Sequence, residues 1–97
     1  MDINKLTFQA NDIYESIDFT HDTWITQINK LDQVHDKTLS VLEILINKWN
    51  FKYDDDTAIE MILTFYWSDS VWKQLEDIKN KLYVWQQKHK GYKYHLA

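Results

Sequence analysis

A chain of 97 residues with one Gly, Gly91, and no Pro lacks nearly all the residues that form tight hairpin turns or interrupt helices. All-β architectures are therefore disfavoured. Fold class then rests on the spacing of apolar residues. Ile3, Leu6, Ala10, Ile13 and Ile17 recur at intervals of three and four, the stripe of an amphipathic helix, and predict a first helix over residues 2–18.

Trp24, Ile28, Leu31, Val34, Thr38, Val41 or Leu42, Leu45 and Trp49 continue such a stripe over residues 22–50, with Thr20 or Asp22 as the cap. One helix of that length would measure about 43 Å, whereas a compact chain of this size has a radius of gyration of about 12 to 13 Å. A break is therefore predicted at residues 35–39, where Ser40 and Glu43 have capping-box spacing. The alternative is an elongated or dimeric assembly.

After Asp54, Asp55 and Asp56 comes a second capping-box match, Thr57 with Glu60, and then Ala58 to Trp67, apolar nearly all round. This pattern predicts a central helix packed on several sides, with a buried strand as the alternative. Ser68, Asp69 and Ser70 supply caps for a further helix. Its seam is Val71, Leu75, Ile78, Leu82, Trp85 and His89, supported by Lys73–Asp77 and Asp77–Lys81 pairs and ended by Gly91. The expected fold is all-α, a single antiparallel bundle of three to five amphipathic helices over residues 1–97, with 91–97 a short tail.

No motif carries recognisable chemistry. With no Cys there is neither a disulfide framework nor a thiolate metal site. One Gly rules out a phosphate loop, and Ser16, Ser40, Ser68 and Ser70 read as caps or helix surface rather than nucleophiles. A D-x-x-H-D element occurs twice, as Asp18, His21, Asp22 and as Asp32, His35, Asp36. The copies would lie roughly 21 Å apart on one helix, too far to share an ion. Capping or a solvated face accounts for them, and neither a metal nor a cofactor is expected. His35 also lies beside the second stripe, where a pH-sensing group would sit.

The sequence has five Trp, six Tyr and four Phe. Trp24, Trp49 and Trp85 fall on seams. Trp72 and Tyr83 fall on one flank of the last helix, so they, with Tyr92 and Tyr94, form a candidate partner-binding surface. The acids Asp54, Asp55 and Asp56 are candidates too. All 15 acids and six of the 11 Lys lie in residues 1–78, the other five Lys in the last 19, and Arg is absent. An acidic body suits a basic partner and disfavours nucleic acid, except through the basic C-terminal end.

The expected function is a non-enzymatic protein–protein interaction module. In size and composition it resembles the small phage or mobile-element inhibitors that bind a host protein. A toxin-immunity-type protein and a nucleic-acid-associated regulator are the alternatives, and a homo-oligomer fits the long stripes. No apolar stretch approaches the roughly 20 residues that span a bilayer, and the N-terminus lacks a signal pattern. The expected location is the cytoplasm.

Overall fold

The computed structural model describes residues 2–51 and 54–89, and every regular element among them is helical: α1 (Ile3–Glu15), α2 (Trp24–Phe51) and α3 (Asp55–Lys88). Local chemistry sets each start. Asp2 caps α1 by accepting from the Asn4 N–H at 3.0 Å, Thr23 Oγ1 accepts from the Thr26 N–H at 3.2 Å at the head of α2, and Asp54 accepts from the Thr57 N–H at 2.6 Å at the head of α3. The α2 cap is thus Thr23 rather than Thr20 or Asp22. Asp55 and Asp56 occupy the first turn of α3, where negative charge suits the helix dipole.

Helix α1 stops three residues short of its predicted end. The Ser16 N–H is shared between the carbonyls of Asp12 and Ile13, and the Ser16 carbonyl accepts from the Lys30 ammonium at 3.0 Å. The first D-x-x-H-D element fills the following turn. Asp18 Oδ1 accepts from the Thr20 and His21 N–H groups, Asp22 Oδ2 accepts from the Asp18 N–H, and His21 Nδ1 lies 2.8 Å from Asp18 Oδ2. Buried Gln27 ties this turn to α2, its amide donating to the carbonyls of Asp22 and Phe19 at 2.9 and 3.4 Å.

Two predicted breaks are absent. Helix α2 runs unbroken through residues 35–39: the Ser40 hydroxyl expected to cap a new helix donates to the Asp36 carbonyl one turn back at 3.1 Å, and Thr38 of the stripe donates to the His35 carbonyl at 2.7 Å. Helix α3 likewise passes through Ser68, Asp69 and Ser70. Ser68 is buried with its Oγ 3.4 Å from His35 Nδ1, and Asp69 pairs with Lys73 at 3.0 Å, in place of the expected Lys73–Asp77 pair. The Asp77–Lys81 pair forms at 3.1 Å. The end set by Gly91, and the 91–97 tail, lie outside the described residues.

With 28 and 34 residues, α2 and α3 are about 42 and 51 Å long, and the molecule measures 56 × 21 × 19 Å with a radius of gyration of 16.6 Å. Length and compactness conflict, and the conflict is resolved by elongation. The two helices form an antiparallel hairpin in which His35 meets Ser68 and Trp24 lies near Ile78. Its tip is where α2 passes into α3.

Helix α1 lies against one side of the hairpin. Ala10 and Ile17 join Ile28, Leu31, Val34, Val71, Leu75, Ile78 and Leu82 in the main core, and Leu6 joins Val41 and Leu45 in a smaller cluster toward the tip. Tyr14 connects α1 to α3: its hydroxyl donates to Gln74 Oε1 at 3.0 Å and its ring meets Trp67 edge-on at 6.3 Å.

Candidate protein-binding surface

The seam that α3 presents to α2 changes character along its length. Toward the root it is Val71, Leu75, Ile78 and Leu82, all buried. Extended upstream at the same three-and-four spacing, it passes through Ser68, Thr64, Met61 and Thr57, of which Ser68 and Thr57 are buried and the others half-buried. Three of these four side chains are small or polar, and Met61 alone is large and apolar. The large apolar residues of this stretch are directed outward: Ile59, Ile62, Leu63, Phe65 and Tyr66 are 54 to 68% exposed. The expectation of a central helix packed on several sides is met only in part: α2 covers one face, α1 meets the stretch through Tyr14 against Trp67 and through the Leu6 cluster beside Met61, and the rest is open.

On the side away from α1, Ile62, Phe65 and Tyr66 border a groove of about 700 Å³. Leu42 and Met61 form its half-buried floor, Leu39 and Ile46 of α2 one rim, and Ile62 and Phe65 of α3 the other. Among the described residues Glu43 is its only charged lining residue. At about 100° per residue, Phe65, Trp72 and Tyr83 fall within about 20° of one another on α3. Trp72 and Tyr83 are 47% and 62% exposed, so the flank singled out from the sequence continues into the groove. Sequence reasoning missed the groove residues because an apolar residue signals burial without saying against what. The alternation of Ser and Thr with Met along the extended seam was the signal that could have located them.

The remaining candidates are placed separately. Asp54 is engaged as the α3 cap, and Asp55 and Asp56 are exposed at the hairpin tip. Tyr92 and Tyr94 lie outside the described residues. Among the described residues no three His, Asp or Glu side chains converge as metal ligands. In the turn, Asp18 has its carboxyl held below the usual carboxylate range, first by the His21 side chain and then by the His21 and Thr20 N–H groups. That is the electrostatics of a capped turn.

The Lys side chains of α3 are largely committed. Lys73, Lys79 and Lys81 lie within 4 Å of Asp69, Glu76 and Asp77 respectively, leaving less unpaired charge for a phosphate backbone. His89 stacks on Trp85 at 4.0 Å and its Nδ1 lies 2.8 Å from the Trp85 carbonyl. No helix among the described residues is long and apolar enough to cross a membrane. Compared with protein-family models, curated proteins and solved structures, the chain matches none.

Proposed function

We propose that this chain is a non-enzymatic protein-binding module whose working surface is the open side of the α2–α3 hairpin. The observation that carries the reading is the line of exposed aromatic residues Phe65, Trp72 and Tyr83 on one flank of a rigid helix. Large aromatic side chains supply most of the energy at protein interfaces, and in water they gain nothing from exposure. Asp32 and Asp36 are exposed on α2, within about 60° of Leu39 on the helical wheel. They give the rim beside Trp72 a negative charge that suits a basic partner surface. The small size and acidity fit an inhibitor or regulator of the phage or mobile-element kind.

Affinity capture from host lysate tests this. The wild-type chain is expected to retain a stoichiometric partner that a Trp72→Ala, Tyr83→Ala double variant loses, with affinity reduced by roughly 30-fold or more if either residue is a hot spot. Both residues are exposed, so helical content should be unchanged. Undiminished capture by the double variant would remove this flank from consideration.

A further inference from the structure

We propose that the groove at the hairpin tip is occupied by a second copy of this chain, packed about a two-fold axis so that Ile62 and Phe65 of each copy enter the groove of the other. The inference rests on the preceding reading of the open side as an interface and specifies what fills its tip.

The first argument is the inverted seam. A helix that places Thr57, Met61, Thr64 and Ser68 against its own partner helix and Ile62 and Phe65 outward has its larger apolar face arranged for contact beyond the chain. The second is area. A folded monomer of 11.8 kDa exposes about 5,900 Å², while this chain exposes 7244 Å². The excess of roughly 1,300 Å² is spread over the whole elongated chain, the apolar tip included, and a standard stable interface would bury approximately 800 Å² of surface on each partner.

The third argument is complementarity. A two-fold interface brings one patch against itself, so the patch must contain both a ridge and a groove and must avoid net charge. The tip meets these conditions: the Ile62–Phe65 ridge borders the Leu42–Met61 groove, and among the described residues Glu43 is the one charged lining residue. A basic heterologous partner would find little to pair with there, whereas Asp32 and Asp36 lie further toward the root.

Neither α1 nor residues 90–97 fill the groove. Helix α1 is committed to the opposite side through Tyr14, Gln74 and Trp67. Residues 90–97, even fully extended, reach about 28 Å, and His89 lies about 36 Å along α3 from Phe65. A contact centred on Ile62 and Phe65 would leave Tyr83, about 27 Å from Phe65 along the axis, accessible in both copies for a further partner.

Light scattering behind a sizing column, on the full chain from micromolar to near-millimolar concentration, tests the proposal. The expected result is a species of twice 11.8 kDa. An Ile62→Glu, Phe65→Glu variant should run as a monomer with helical circular dichroism retained, while Leu63→Glu, on the α1 side, should leave the dimer intact. If the double Glu variant fails to fold, Ile62→Ala, Phe65→Ala should weaken the dimer by about ten-fold or more. A wild-type chain that is monomeric throughout, or a dimer insensitive to these substitutions, would overturn the proposal. A monomer that still captures a partner through Trp72 and Tyr83 would overturn it while leaving the binding-module reading in place.

Discussion

At the root of the hairpin α3 meets α2 through Val71, Leu75, Ile78 and Leu82, whereas at the tip it does so through Thr57, Met61, Thr64 and Ser68. Toward the root, the C-terminal end of α1 is fastened by the Tyr14–Gln74 hydrogen bond, by Lys30 on the end of α1 and by Gln27 beneath the α1–α2 turn. Toward the tip, the N-terminal end of α1 reaches one side of the hairpin through Leu6, which clusters with Val41, Leu45 and their half-buried neighbours, and the other side is open. The same helix-forming tendency therefore yields a self-sufficient core at one end and an uncovered apolar surface at the other. Helix formation is a local matter, while burial depends on how many other helices reach a given turn.

The largest expected effect that would break this contrast comes from truncating equivalent apolar residues in the two regions. Leu75→Ala removes a side chain that is 2% exposed and should cost about 2–5 kcal/mol in denaturant unfolding. Leu63→Ala, at 63% exposure, should cost roughly 0.5 kcal/mol or less. Equal costs would mean that the tip is packed as tightly as the root.

A smaller effect sharpens the role of polar fastening at the root. Gln27→Ala leaves the Asp22 and Phe19 carbonyls without their amide donor and should destabilise by about 1–3 kcal/mol. Faster amide hydrogen exchange should appear in the turn between α1 and α2 while the tip is unaffected. Exchange that changes equally at both ends would show that the turn does not stabilise the root selectively.

The smallest effect is pH-dependent and concerns the same turn. Because Asp18 is held below the usual carboxylate range in the folded chain, its contribution is complete above the unfolded value of about 3.9. It is lost as pH falls through the depressed folded value. An Asp18→Asn variant should therefore be slightly less stable than wild type near neutrality, and the two should converge in acid. Parallel acid unfolding curves would remove the carboxylate from the account. The Asp18 side chain is exposed, so the difference should be small and sensitive to salt.

Most of the helical content was legible in the sequence. With no Pro and one Gly, nothing opposed the three-and-four spacing of apolar residues, and the buried set Leu31, Val34, Val41, Leu45, Val71, Leu75, Ile78 and Leu82 follows the predicted stripes. The misread boundaries have a common cause. Ser40 and Ser68 occupy spacings that suit caps, but a hydroxyl can equally be satisfied inside a helix by a carbonyl one turn back, as at Ser40, or by a facing side chain, as at Ser68. Sequence spacing alone does not choose between these. The continuous phase of the seam across both sites was the better guide.

Trp72 and Tyr83 were legible as a flank because each departs from a well-marked seam. Ile62 and Phe65 were not, since in an all-round apolar stretch no residue stands apart from its neighbours. The sequence by itself determined that the chain is helical and where its strongest stripe runs, because hydrogen bonding along a helix is local and apolar periodicity reports a single axis. Only the tertiary structure decided that α1 covers one side of the hairpin and leaves the other open. That choice depends on which grooves a 13-residue helix can fill along partners of 28 and 34 residues.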